Sequence, residues 1–182
     1  MDKERRNSID HAVRVLAGVI RSIHLKRVLH KVDAKPRLNF WCIIYGNLLD
    51  AAVLDWCMLF GSHNQKHQPL HWKNVVPQLE HNTFRDGLLC HLNVDCDHWH
   101  YYREQVKGYR DNHAAHFGMD WNRPENNPLY PDLELALQAA YYYYEKLIEI
   151  SIMLNLRTII PRILTNTVNA LLLKWLKSPQ EQ

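Results

Sequence analysis

The amino-acid sequence predicts an all-α fold, an up-and-down helical bundle in a single domain. Apolar residues recur at three- and four-residue intervals along most of the chain, which is the period of a helix with one buried face. Prolines cluster between these periodic stretches, where loops are expected. The chain has 182 residues, 47% of them hydrophobic, and can bury one full core. We therefore treat residues 1–182 as one domain.

The first helix is predicted over residues 8–32. Ser8 is a residue type that caps helix N-termini, and Pro36 ends this unit. Basic residues interrupt the apolar pattern, so we expect neither a secretory signal nor a transmembrane span here. The apolar positions are Val13, Leu16, Ala17, Ile20, Ile23, Val28 and Leu29.

A second helix is predicted from Leu38 to Phe60, with Gly61 at its end. Because apolar residues occupy most of its positions, we expect this helix to be mostly buried. Asn47 and Asp55 interrupt the apolar sequence. As buried polar side chains they would need hydrogen-bond partners within the core.

Histidines occur at two places where metal ligation deserves a test. His63, His67 and His71 stand four residues apart and would share one face of a helix. Pro69 and the polar composition between Gly61 and Pro77 predict a loop instead. A second group shows no regular ligand spacing: Cys90, His91, Cys96, His98 and His100. We expect no metal site and no cofactor.

A third helix is predicted from Asp95 or Asp97 to His116, because Trp99, Tyr102, Val106 and Tyr109 recur at helical steps. Prolines at 124, 128 and 131 mark the loop that follows.

Asp132 is then expected to cap a long helix that runs to about Leu156. Four consecutive tyrosines, Tyr141–Tyr144, cover all faces of this helix, so at least one ring is expected to be exposed or at an interface. The rings could stack on bases, but core or dimer packing is the favoured interpretation. A last apolar helix over residues 162–176 is expected to pack on the bundle or a second subunit.

The four cysteines stand singly and form no CxxC pair. Their hydrophobic neighbours predict buried free thiols, which is consistent with a reducing cytoplasm. Charge is uneven: residues 1–37 contain ten Lys or Arg and four acids, whereas the whole chain has a net charge of +3. A basic first helix can contact a nucleic-acid backbone, or it can be a solvated surface.

The segment Tyr109–Phe117 contains the strongest functional signal. Arg110 has a guanidinium fork that matches phosphate oxygens, and His113 and His116 can transfer protons near neutral pH. Asp111 can orient Arg110 or a histidine. These residue types indicate phosphodiester chemistry.

Helical geometry leaves the identity of the base open. At about 100° per residue, His113 lies about 60° from Arg110 and His116 about 60° further. Arg110 and His116 converge only through the reach of the arginine, a loosened last turn near Gly118, or a second copy of the chain. A charged, solvated helix end explains the same residues without catalysis.

Two blocks resemble the HEPN superfamily. Arg110-Asp111, followed after four residues by His116, resembles its arginine–polar–histidine signature. The upstream block resembles the abortive-infection AbiU-type branch: Phe40-Trp41, Asn47, Asp50–Ser62 and His71-Trp72-Lys73. The resemblance is strongest over residues 38–150.

The resemblance implies a four-helix HEPN-like core with an additional terminal helix, paired into a homodimer. It implies a metal-independent RNA endonuclease of phage defence or toxin–antitoxin systems, with RNA as substrate and a nucleotidyltransferase-type antitoxin as a candidate partner. No membrane association is expected. Some members have lost activity and bind RNA, nucleotide or partner proteins, so the resemblance leaves catalysis open. As a nuclease, the chain would use Arg110, His116, Asp111 and His113.

Overall fold

A computed structural model of the chain describes residues 3–31, 39–62, 68–114 and 130–153. Across these ranges all regular structure is helical and no strand occurs, which confirms the all-α prediction. The α-helices are α1 (Lys3–Lys31), α2 (Asn39–Phe60), α3 (Trp72–Val75), α4 (His81–Leu92), α5 (Cys96–Tyr109) and α6 (Glu134–Met153). A 3₁₀ turn, Gln78–Glu80, precedes α4, and a π-helical turn, Arg110–Ala114, follows α5.

Helix α1 begins at Lys3, so the prediction that Ser8 caps it is wrong. Ser8 lies inside the helix, and its Oγ donates a hydrogen bond to the Glu4 carbonyl at 3.2 Å. The charged residues before Ser8 favour helix strongly enough to extend it toward the N-terminus. The buried side of α1 consists of Ile9, Ala12, Val13, Leu16, Val19, Ile20 and Ile23.

Helices α1 and α2 pack against each other in opposite directions. Lys26 Nζ donates to the Tyr45 hydroxyl at 2.8 Å, while Asp55 lies against Gly18 further back along α1. A Cβ on Gly18 would lie 2.6 Å from Asp55 Oδ2, so glycine allows this close approach. Burial raises the pKa of the half-buried Asp55, and Arg21 opposes that rise.

Helix α2 matches its predicted bounds but is buried on only one side. Phe40 and Ile43 are 61% and 58% exposed, and Asn47 is also exposed. The predictions that α2 is mostly buried and that Asn47 lies in the core are therefore wrong, because the described helices cover only part of its surface. Among the described helices, α2 alone is long and apolar enough to cross a membrane. The core helices of soluble proteins meet the same criteria of length and composition.

Helix α4 lies in a region to which the sequence analysis assigned no helix. Phe84, Leu88 and Leu92 are buried at four-residue intervals, and Asn93 ends the helix in the left-handed region at φ 53°. Gly87 allows α4 to approach α6 closely, because a Cβ there would lie 2.2 Å from the Tyr142 hydroxyl.

Helix α6 begins as predicted, with Asp132 Oδ1 accepting a hydrogen bond from the Glu134 amide at 2.9 Å. Tyr142, Tyr143 and Tyr144 are buried and Tyr141 is half-buried, with its hydroxyl 2.6 Å from His24 Nε2. The burial of Tyr142, Tyr143 and Tyr144 confirms core packing. None of the four tyrosines is exposed, and the alternative that one ring lies at an interface stays a prediction. The predicted end near Leu156 and the helix over 162–176 lie outside the described residues.

All four cysteines are free thiols, as predicted, but only Cys57 is buried. The expectation of burial is wrong for Cys42, Cys90 and Cys96, which lie on exposed sides of their helices. Sequence neighbours point about 100° apart around a helix, so apolar neighbours do not ensure that a residue is buried.

Candidate functional site

An aromatic cluster holds α5 against the C-terminal half of α2. The Trp56 ring stacks on Phe60 at 5.2 Å and meets the edges of Trp99 and Tyr102, each at 5.8 Å between centroids. Trp56 and Phe60 are fully buried. Such pairs contribute about 0.5–1.5 kcal/mol each beyond the burial of their area. The cluster fixes the position of α5, and therefore of the residues that follow it.

Arg103 of α5 donates hydrogen bonds to backbone carbonyls at the C-terminal end of α2. Its Nε donates to the Phe60 carbonyl at 2.8 Å, and its Nη2 donates to the Gly61 carbonyl at 2.5 Å. The last carbonyls of a helix have no partner within the helix, so these two bonds replace water there. Burial lowers the pKa of Arg103, but the group stays a cation.

Helix α5 begins as predicted but does not continue as an α-helix to His116. Asp95 caps its start, with Oδ1 accepting from the His98 amide at 2.7 Å. After Tyr109 the backbone widens into the π-helical turn Arg110–Ala114. The Asn112 side chain donates to the Gly108 carbonyl at 2.9 Å, which satisfies a backbone group at the transition. The α-helical angle between Arg110 and His113 therefore does not apply, and π-helical turns occur frequently at functional sites.

Tyr109 attaches the start of this turn to α2. Its hydroxyl donates to Asp50 Oδ1 at 2.8 Å. Burial raises the pKa of Tyr109, and the adjacent carboxylate raises it further, so the hydroxyl remains a proton donor. The ring lies 5.5 Å from the His113 ring and 5.9 Å from the Tyr130 ring.

Arg110 is held between Asp111 and α2. Its Nε donates to Asp111 Oδ1 at 2.7 Å, and its guanidinium lies close to the Cys57 side chain of α2. The bond to Asp111 raises the pKa of Arg110. Burial raises the pKa of Cys57 to about 11, so the thiol is neutral at physiological pH and serves as a packing partner rather than a nucleophile.

The exposed fractions show which groups of this turn a ligand can reach. The Arg110 side chain is 19% exposed and that of Asp111 is 53% exposed. His113 is half-buried against Tyr109. Among the predicted site residues, Arg110, Asp111 and His113 share the π-helical turn, where Arg110 contacts Asp111 and His113 contacts Tyr109. His116 lies outside the described residues.

Two α2 residues that support the turn, Asp50 and Cys57, were not predicted from the sequence as part of the site. They stand seven residues apart, which places them on the same side of α2 two turns apart. A polar residue and a cysteine at that spacing on an apolar helix were the available signal. Only the packing of α5 shows that Tyr109 and Arg110 are their partners.

The candidate metal ligands do not converge in the described part of the chain. No group of three or more His, Cys, Asp or Glu side chains is arranged to hold a metal ion there. His71 is buried at the N-terminus of α3, and its Nδ1 accepts from the Lys73 amide at 3.2 Å. His63 and His67 lie outside the described residues.

A comparison of the chain with known proteins found no relative. No protein-family model, no curated protein and no solved structure matches the chain.

Replacing Tyr109 with Phe tests the attachment of the turn to α2. The substitution keeps the ring contacts but leaves the half-buried Asp50 carboxylate without its donor, so we expect a loss of about 1–3 kcal/mol in the free energy of unfolding. Urea unfolding monitored by circular dichroism measures it. The matched control is Tyr101→Phe, because Tyr101 is 64% exposed. Equal stability of the two variants would show that the Tyr109 hydrogen bond does not hold the turn.

Proposed function

We propose that this protein is a metal-independent RNA endonuclease of a phage-defence or toxin–antitoxin type, acting in the cytoplasm. The observation that carries the proposal is the five-residue π-helical turn. It contains both a cation held by a hydrogen bond, Arg110, and an imidazole, His113. The proposal includes the HEPN-like four-helix core with an additional terminal helix, and a nucleotidyltransferase-type antitoxin as a partner.

The proposed reaction is an internal transfer of the phosphodiester. A histidine removes the proton of a ribose 2′-hydroxyl, the 2′-oxygen attacks the adjacent phosphorus, and the bond to the 5′-oxygen breaks. The leaving 5′-oxygen takes up a proton from the protonated histidine or from water. The products carry a 2′,3′-cyclic phosphate and a 5′-hydroxyl. Arg110 stabilises the negative charge that develops on the phosphate oxygens. His113 and His116 are the two candidates for the base, and the family signature favours His116.

The partners of Arg110 support this role because they limit its motion. Asp111 occupies one of the several N–H donors of the guanidinium, and Cys57 lies close to it, so donors remain for phosphate oxygens. A positioned donor stabilises developing charge without reorganising during the reaction. Asp111 is a positioning residue in this mechanism.

Helix α2 supports the proposed homodimer. Four of its apolar residues, Phe40, Ile43, Leu54 and Met58, are exposed and recur at helical intervals. We call them the α2 stripe. Met58 directly follows Cys57, the α2 residue close to Arg110, so one end of the stripe lies near the part of α2 that supports the turn. A second copy seated on the stripe would bury it and bring a second Arg110 turn close to the first.

A non-catalytic module that binds RNA, nucleotide or a partner protein is the second candidate. The Arg110 side chain is 19% exposed, which favours this second candidate. A guanidinium that lies between Asp111 and Cys57 can bind a phosphate even where no histidine reaches the ribose 2′-hydroxyl. The nuclease would cleave RNA and release products, whereas the non-catalytic module would bind its ligand without cleaving it.

We expect wild-type protein to cleave RNA in excess chelator, and Arg110→Ala to lose about a hundredfold or more in rate, as other charge-stabilising donors do. Loss of the base, tested by His113→Ala and His116→Ala, should cost about 10²–10⁴-fold in only one of the two variants. Gel analysis of a mixed structured and single-stranded RNA panel measures the rates. Arg14→Ala is the control, because Arg14 is an exposed cation of α1. RNA binding without turnover would favour the non-catalytic module.

The double variant Ile43→Lys, Leu54→Lys tests the homodimer. Charges at two exposed positions of the α2 stripe should halve the mass measured by sedimentation and lower RNA cleavage, while the monomer stays folded. Leu79→Lys is the control, because Leu79 is 98% exposed and lies outside the stripe. A wild-type monomer at tens of micromolar, or a double variant that still pairs, would contradict a dimer through this surface.

A further inference from the structure

A groove of about 810 Å³ lies between the N-terminal turns of α1 and the segment from Pro69 to Arg85. It is separate from the Arg110 turn, and none of the residues of that turn lines it. Its volume falls within the range of about 300–1,000 Å³ that is typical of small-molecule and cofactor sites.

Three cations from three different helices line this groove: Arg5 of α1, Lys73 of α3 and Arg85 of α4. Glu4 is the one acidic residue among the lining residues. Arg85 is 51% exposed and pairs with its neighbour Asp86 at 3.0 Å, a surface contact that contributes about 0–1 kcal/mol and can be exchanged for a ligand. The groove therefore has an excess of positive charge, and the positive end of the α1 dipole adds to it.

Neutral polar groups also line the groove. Gln78 and Asn82 are exposed in the groove wall, and each amide offers both a donor and an acceptor. His81 lies beside them, with Nε2 3.0 Å from the Val76 carbonyl and its ring edge-on to the Trp72 ring. Two arginine forks suit phosphate oxygens, and amides suit the polar edges of bases.

From this arrangement we propose that the groove between α1, α3 and α4 binds the phosphate groups of a nucleotide ligand, either a free nucleotide or a segment of RNA. Arg5 and Arg85 contact phosphate oxygens from opposite walls, Lys73 adds a charge between them, and Gln78 and Asn82 contact the base or sugar. The proposal goes beyond the proposed nuclease and holds whether or not the Arg110 turn cleaves RNA. The basic N-terminal region was expected to be able to contact a nucleic-acid backbone. In this proposal, Arg5 is the cation of that region that contacts the ligand.

Binding of a fluorescent 2′-O-methyl 12-mer oligonucleotide to the full chain tests the proposal. This probe has no free 2′-hydroxyl, so the proposed cleavage reaction cannot consume it. We expect the double variant Arg5→Gln, Arg85→Gln to raise Kd at least tenfold. Losing two phosphate contacts should also lower the slope of log K against log salt concentration by about 1.4. Arg5→Lys, Arg85→Lys should keep the slope while losing affinity, since lysine keeps the charge without the fork.

The control is Arg14→Gln, Lys146→Gln, which removes the same charge outside the groove lining. Competition by AMP, GTP and an acidic 12-residue peptide distinguishes the sources of the ligand. Displacement by the nucleotides supports a free nucleotide, and binding of the oligonucleotide alone supports RNA. No binding of oligonucleotide or nucleotide, equal losses in the groove and control variants, or equal displacement by the acidic peptide would overturn the proposal.

Discussion

The packing of α5 against α2 is the constraint on which the candidate site depends. The rings of Trp56, Phe60, Trp99 and Tyr102 form a continuous buried contact, and Arg103 closes the end of α2 with two hydrogen bonds. Because protein interiors are densely packed, neither helix can shift without losing several of these contacts together. The Trp56 indole N–H is buried without a hydrogen-bond partner among the described residues, so packing, not polar contact, dominates this cluster.

The π-helical turn follows from that packing. Once α5 is fixed, the chain after it is attached to α2 at two positions. Tyr109 donates a hydrogen bond to Asp50, and Arg110 lies close to Cys57. An irregular turn persists when its surroundings supply enough contacts to offset the lost regular hydrogen bonds. In the proposed mechanism this geometry has a use, because it holds a cation and an imidazole at the surface with little freedom to move. Helix α2 would then have three roles: core on one side, support for Arg110 on another, and the α2 stripe on the third.

Local signals in the sequence predicted much of the fold. The bounds of α2 and the Asp95 and Asp132 caps follow from residue types that act on their own backbone, so one sequence suffices to find them. The start of α1 was missed because Ser8 can also bond back to a carbonyl within a helix. The π-helical turn depends on contacts between residues far apart in the chain: Asp50 and Tyr109 are 59 residues apart, and Cys57 and Arg110 are 53 apart. Spacing within one segment cannot reveal such contacts.

In the proposed mechanism, the Arg110 turn promotes attack by a ribose 2′-oxygen on the adjacent phosphorus. The decisive experiment uses an RNA that the protein cleaves at one linkage, resynthesised with a single 2′-deoxyribose on the 5′ side of that linkage. Cleavage at this linkage should then stop, and the unmodified RNA should yield a 2′,3′-cyclic phosphate and a 5′-hydroxyl. Continued cleavage of the deoxy linkage, or products with a 5′-phosphate, would contradict it, because neither outcome is compatible with a 2′-oxygen nucleophile.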